Sequence, residues 1–216
     1  MDPTTVSVVT VRSVGAEAIA LELRTPSDFD ARPGQFVKLS TEIDGESVSR
    51  FYTISSPRVT DTFETTLTID PSGTFGPYLA NLESGDSIRV AGPFGNAYYE
   101  EEQRTLILAG GPGVGPAVGI AGRTLDDGGT TTIVYRDEQP IHEDRLSALS
   151  QRGAQVFVGT ESDSLTAAIE ETETENAQVF VYGFSEFLDW ATEALSAAGV
   201  AVEPAKMENF GPAPEE

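Results

Sequence analysis

The side chains best suited to chemistry gather in one octapeptide, Arg50-Phe51-Tyr52-Thr53-Ile54-Ser55-Ser56-Pro57. In an extended strand alternate side chains share a face, so Arg50 and Tyr52 lie on one side and Phe51 and Thr53 on the other. A guanidinium presents a fork of donors that matches two phosphate oxygens at once. A phenol offers a flat apolar face with a polar tip, suited to a planar ring. Taken alone, the octapeptide reads first as an ordinary half-buried strand. The downstream sequence gives it a second reading.

That second reading begins at Gly110-Gly111-Pro112-Gly113-Val114-Gly115-Pro116, directly after the apolar run Leu106-Ile107-Leu108-Ala109. Glycines after a strand let the backbone turn sharply, and the helix that follows presents free amides and positive dipole charge. A diphosphate fits such a turn. The spacing is not that of the usual dinucleotide fingerprint. A tight strand-to-helix turn with no ligand is the other reading.

Composition excludes several classes. The 216 residues carry a formal charge of -22, and Lys38 and Lys206 are the only lysines. Such acidity repels phosphate backbones, so a nucleic-acid partner is not expected. The acids are scattered from Asp2 to Glu216 and not gathered into one block. Diffuse acidity with hardly any lysine is the pattern of a halophilic protein, where salt screens the self-repulsion. No cysteine is present. Disulfides, thiolate-held iron–sulfur clusters and a cysteine nucleophile are therefore ruled out. One histidine, His142, cannot form a metal site alone, so no metal is expected, and His142 is read as a surface helix residue. No basic, apolar leader and no membrane-length apolar run occurs, which gives a cytoplasmic expectation without membrane insertion.

The elements that must position these residues come in two rhythms. Val6–Val11, Ala18–Arg24, Gln35–Leu39, Ser49–Ser55, Phe63–Ile69 and Ser87–Ala91 are short branched or alternating segments divided by Pro, Gly, Asp and Ser. They predict a six-stranded antiparallel β-barrel, closed so that no edge is exposed. Tyr78–Leu82 predicts a single helical turn after Pro77. Beyond Gly92-Pro93-Phe94-Gly95 strands alternate with helices. Helices are expected over Pro116–Leu125, Glu143–Ser150, Leu165–Glu171 and Ser185–Ala198, and strands at Thr131–Tyr135, Val156–Val158, Val179–Tyr182 and from Val200 onward. That alternation predicts a Rossmann-like parallel α/β domain. The expected division is residues 1–97 and 98–216, followed by a loose Pro/Glu tail after Phe210.

In this order the chain resembles the ferredoxin–NADP reductase family in its short flavin-reductase form. The matching marks are Pro33-Gly34-Gln35-Phe36, Arg50-Phe51-Tyr52-Thr53, Gly73-Thr74-Phe75-Gly76, Gly92-Pro93-Phe94-Gly95, the Gly110–Pro116 turn and Glu208-Asn209-Phe210. The resemblance implies an oxidoreductase with FAD in the barrel and NADH or NADPH as co-substrate on the α/β domain. A hydride would pass from the nicotinamide to flavin N5, then single electrons to a separate acceptor such as a ferredoxin or a small molecule. By the same resemblance Arg50 would hold the diphosphate, Tyr52 would lie on the isoalloxazine and Thr53 would place its hydroxyl near N5. Phe51 belongs to the same segment, and Gly73, Thr74, Phe75 and Gly76 would bring amides to the diphosphate. Phe210 would shield the opposite flavin face and Glu208 could relay a proton. The nucleotide would meet Gly110, Gly111, Pro112, Gly113, Thr160, Glu161, Tyr182 and Gly183.

Departures from the family pattern bear on phosphate and nucleotide contacts. Gly76 stands where Ser or Thr is common, Pro112 removes a hydroxyl and an amide donor, and Tyr182-Gly183-Phe184 replaces Cys-Gly-Pro. Thr160-Glu161 favours NADH, since a carboxylate repels a 2′-phosphate and accepts from ribose hydroxyls. Two other readings stay open: an electron-transfer subunit of a larger complex, and a flavin-binding module with a degenerate nicotinamide site.

Overall fold

Why the first rhythm makes a barrel is visible in its burial. In the computed structural model, which describes residues 2–211, six strands form one antiparallel sheet. They are β1 (Thr4–Gly15), β2 (Ala18–Arg24), β3 (Phe36–Ile43), β4 (Glu46–Thr53), β5 (Thr62–Thr68) and β6 (Ser87–Phe94), in the order β4-β3-β6-β1-β2-β5. Val8, Leu21, Leu23, Val37, Leu39, Phe63, Leu67, Ile88 and Val90 fill the interior. The two outer strands meet through one antiparallel bridge, Ile54 to Thr65, which closes the cylinder. Closure places β5 beside β4, which matters for the site.

The short helix α1 spans Phe75–Ala80, earlier than the expected turn over Tyr78–Leu82. Pro77 falls in its first turn, where a missing N–H costs nothing, so the helix begins ahead of the proline. Beyond β6 come β7 (Arg104–Gly110), β8 (Thr130–Arg136), β9 (Gln155–Gly159), β10 (Gln178–Gly183) and β11 (Lys206–Asn209). They form a parallel sheet ordered β11-β10-β7-β8-β9. The helices are α2 (Val114–Asp126), α3 (Glu143–Gln151), α4 (Ser162–Glu170) and α5 (Ser185–Ala197). Side chains of α2 and α3 pack one face of this sheet and those of α4 and α5 the other. The last strand starts at Lys206, not Val200, because Glu203 and Pro204 form a turn first. No helix among the described residues is long and apolar enough to cross a membrane, and residues 212–216 of the Pro/Glu tail lie outside them.

Helix α2 is buried on nearly every side, as a helix caught between two layers must be. Toward the barrel it presents Gly115, Gly119 and Gly122, spaced along one helical face. A Cβ on Gly115 would come 2.8 Å from Thr66 Cβ, on Gly119 3.0 Å from the Ser55 carbonyl, and on Gly122 3.2 Å from Pro57. These glycines let the helix lie against the octapeptide and β5.

The same junction holds a buried polar cluster and corrects one expectation. His142 is not a surface residue; it is 2% exposed, sits at the α3 N-cap with φ near 60°, and shares a 2.7 Å hydrogen bond between Nε2 and Thr66 Oγ1. Its position before α3 matched a helix surface in sequence, but the barrel covers it. Beside it Arg145 donates to Glu64 Oε1 (2.7 Å) and to the Ser55 carbonyl (2.8 Å), and Arg12 pairs with Glu64 Oε2. Burial first, then the Arg145 charge, push the His142 imidazole down to about 4. Burial would raise Glu64, but Arg145, Ser55 and Arg12 together hold it below the ordinary carboxylate range.

A stability prediction follows with a definite sign. The unfolded imidazole protonates near pH 6.5, the folded one near 4, so between these values the unfolded chain binds more protons. Stability from His142 is full above about pH 6.5 and is lost as pH falls toward 4, by roughly 3 kcal/mol. Glu64 loses its contribution in the same direction as it protonates. Urea denaturation from pH 7 to 4.5 is expected to show a shallower loss for His142→Gln than for the parent. Parallel curves would contradict the account.

Candidate functional site

β4 is the edge strand of its sheet, so both of its faces reach the groove alongside it. Arg50, Phe51, Tyr52 and Thr53 all line a cleft of about 540 Å³. The alternation that separates Arg50 and Tyr52 from Phe51 and Thr53 therefore does not divide them between site and core. The Tyr52 ring lies 6.3 Å from Phe75 at 27°, nearly parallel. Burial pushes its phenol up to about 12, against a smaller opposing pull from Arg50, so it stays neutral at ordinary pH.

Arg50 is exposed, and its Nη1 donates to the neighbouring Ser49 carbonyl at 2.8 Å. Among the described residues no carboxylate pairs with it. In a chain with 35 acidic residues this leaves a cation free at the cleft. Gly73, Thr74, Phe75 and Gly76 line the same cleft around the start of α1, and the Thr74 side chain makes no capping bond there. Nearby, Asp70 accepts from the Ser72 N–H and Oγ, and the Ser72 contacts hold its carboxyl below the usual range.

The opposite wall comes from the second domain: Pro112, Phe184, Glu208, Asn209 and Phe210. Phe210 donates its N–H to the Gly183 carbonyl (2.9 Å), and its ring meets Phe184 edge-on at 5.9 Å and 87°. Asn209 Oδ1 accepts from Ser185 Oγ and the Gly211 N–H, which fixes the turn after β11. Glu208 is half-buried, and burial raises its carboxyl above the ordinary range.

Sequence-chosen positions on the nucleotide side do not all converge. Pro112 lines the cleft; Gly110, Gly111, Gly113, Thr160, Glu161, Tyr182 and Gly183 do not. Thr160 and Glu161 are exposed after β9, two strands away from β7. The Tyr182 side chain cannot lie beside a nucleotide, because its ring is wholly buried and its hydroxyl bonds the Ala97 carbonyl. A Cβ on Gly113 would overlap the Tyr182 carbonyl, and one on Gly110 would overlap the Phe187 ring. These glycines answer first to packing.

Thr66, Leu67, Thr68 and Asp70 also line the cleft and were not among the sequence-chosen residues. The usable signal was barrel closure, which must set β5 next to β4. Phe36 joins them from the Pro33–Phe36 motif, whose Gln35 donates to the Gly95 carbonyl at 3.3 Å.

The cleft fits FAD on its own terms. It offers flat aromatic walls for a ring system and an unpaired guanidinium for a diphosphate. No group of His, Asp or Glu among the described residues is arranged to hold a metal. Barrel, cleft and parallel sheet together form a site shaped for a flavin nucleotide. Residues 5–99 match the oxidoreductase FAD-binding domain family. The glycine betaine monooxygenase reductase subunit of Pseudomonas aeruginosa is 40% identical over 114 residues, 51% of this chain and 31% of that protein. Two solved structures share the whole fold. The flavohem-like FAD/NAD binding domain of nitric oxide dioxygenase from Vibrio cholerae superposes with a TM-score of 0.82 at 20% identity, covering 98% of this chain and all of that one. A ferredoxin NADP+ reductase from Neisseria gonorrhoeae with bound FAD and NADP gives 0.78 at 17%, covering 98% and 99%. Residues 5–99 thus belong to the oxidoreductase FAD-binding domain family, and over its whole length the chain is similar in fold to these two structures.

Proposed function

We propose that this chain holds FAD in the cleft between β4 and the end of β11 and passes electrons from a pyridine nucleotide to a separate acceptor. The observation that carries the reading is the unpaired Arg50 set beside Tyr52 on one wall and faced by Phe210 on the other. FAD supplies the step between two-electron and one-electron chemistry when bound. The residues position and shield. Arg50 would hold the diphosphate with two parallel donors. Tyr52, neutral and backed by Phe75, would give the ring a flat apolar bed. Phe210 and Phe184 would close the other side and keep water out. Glu208, raised by burial, is a carboxyl able to hold a proton nearer neutral pH than a solvated acid.

The nucleotide would approach over the C-terminal ends of β7 and β10, where such sheets bind their ligands. Pro112 brings no N–H to that edge. Glu161, exposed after β9, disfavours a 2′-phosphate and so favours NADH. Anaerobic addition of each nucleotide to the FAD-loaded protein is expected to bleach the flavin, faster with NADH by about tenfold. A faster NADPH reaction would remove the Glu161 argument. A colour that persists with both would favour a flavin-binding module whose nicotinamide site is degenerate, which Pro112 and the inward Tyr182 support. A reductase subunit of a larger assembly is the remaining reading, supported by the name of the Pseudomonas relative, of which this chain spans less than a third.

A further inference from the structure

We propose that Lys206 is a positioning residue of the cofactor cleft: it clamps the edge strand β11 to the linker between the two sheets and so fixes Glu208 and Phe210 opposite the barrel wall. The proposal rests on the flavin reading above and adds the residue that sets its two walls against each other.

The first observation is how little else holds β11. It is four residues long, lies at the edge of the parallel sheet and pairs with β10 alone. Yet the cleft takes Glu208, Asn209 and Phe210 from its end. A short segment of this kind belongs to the low-stability end of a fold unless it is tied down from outside.

The second observation is the tie. Lys206 and Glu208 share one face of β11, beside Phe180 and Tyr182 of β10. Linker residues 97–102 meet that face. The Tyr182 hydroxyl donates to the Ala97 carbonyl, and one strand further out the Lys206 ammonium donates to the Tyr98 carbonyl at 2.8 Å. The same ammonium reaches Glu100 Oε2 at 2.8 Å and Glu102 Oε1 at 2.6 Å. It also lies 5.3 Å from the Phe180 ring centre and 5.7 Å from that of Tyr98. Only 18% of its side chain is exposed.

The linker is in turn fixed to the barrel. The Tyr99 N–H donates to the Pro33 carbonyl at 3.0 Å, and Gln35 donates to the Gly95 carbonyl. A Cβ on Gly95 would come 3.3 Å from Glu208 Oε2, so this turn also abuts the carboxyl that lines the cleft. Lys206 thus completes a path of bonds from the barrel to the strand that carries Phe210.

The residue type points the same way. Lysine is used only twice in 216 residues. An ammonium carries three donors that diverge toward three oxygens, whereas a guanidinium spreads its donors in one plane. Three oxygens from three separate linker residues call for the ammonium. Two carboxylates engage its charge, and burial is the one cause that raises the Glu208 carboxyl two residues on.

The test compares the full chain with Lys206→Met, which keeps the stem on the two rings but removes the donors. Lys206→Met/Glu100→Gln/Glu102→Gln also removes the repulsion between the carboxylates left behind. Arg104→Met, which breaks the 2.8 Å pair with Glu173 at the opposite end of β7, controls for lost stability alone. Each protein is titrated with FAD well below its Tm, and the bound flavin is then exposed to iodide at constant high salt. Both Lys206 variants are expected to bind FAD about tenfold more weakly, because a supporting residue that lets one wall drift loosens the whole site. Iodide quenching of the bound flavin should rise about threefold as the ring becomes open to solvent. Arg104→Met should match the parent in both. Parent-like affinity and quenching in the triple variant overturn the proposal, even with a lowered Tm, since Lys206 then serves stability alone. Equal losses in Arg104→Met overturn it too. A parent that binds no FAD sinks the flavin reading itself, which tells the two failures apart.

Discussion

Arg50→Glu is expected to weaken FAD binding by more than about a hundredfold while leaving the thermal stability of the apoprotein unchanged. A charge-assisted pair of this kind contributes about 1.5–3 kcal/mol. Reversing the charge adds repulsion to that loss, and about 1.4 kcal/mol is a factor of ten in affinity. Arg50 is exposed and bonded only to its neighbour's carbonyl, so the fold does not depend on it. Arg50→Lys keeps the charge but loses the fork, and should fall about tenfold short of the parent. Fluorescence titration of the apoproteins with FAD measures all three. Equal affinities for Arg50→Glu and the parent would place the diphosphate elsewhere.

Gly113→Ala carries the second large effect, and it falls on stability. Its Cβ would overlap the Tyr182 carbonyl at the end of β10, where two backbones touch and neither can yield cheaply. Overpacking of this kind costs about 3 kcal/mol, which for a chain this size lowers Tm by roughly 6–12 °C. Gly111 is the internal control: its Cβ would point into open space, with only its φ of 54° opposing a side chain. Gly111→Ala should therefore lose about 1 kcal/mol. If the turn were shaped chiefly for a ligand, the two substitutions would cost alike in the free protein and differ only in nucleotide affinity. Calorimetry without nucleotide separates these outcomes.

That contrast shows what sequence reasoning reads well and where it stops. Arg50 and Tyr52 were legible through the resemblance of their segment to a family motif, and the edge position of β4 lets both line the cleft. The parallel domain was legible because its apolar runs alternate with helical spacing. The role of the glycines was not. A glycine needed for close approach and one needed for a phosphate look the same in one dimension, and only the fold sets Gly115 on Thr66 and Gly113 on Tyr182. His142 failed for a similar reason, since the surface that buries it belongs to residues seventy-odd positions earlier. Thr66 and Thr68 were missed because barrel closure, not local pattern, carries them to the cleft.

The account depends on a ring cofactor lying between Tyr52 and Phe210, and the most direct test is the visible absorption spectrum of the purified protein before and after gel filtration with excess FAD. One flavin per chain that survives the column, with its bands shifted from those of free FAD, is the predicted result. A protein that emerges colourless and leaves all added FAD in the small-molecule fraction would contradict it.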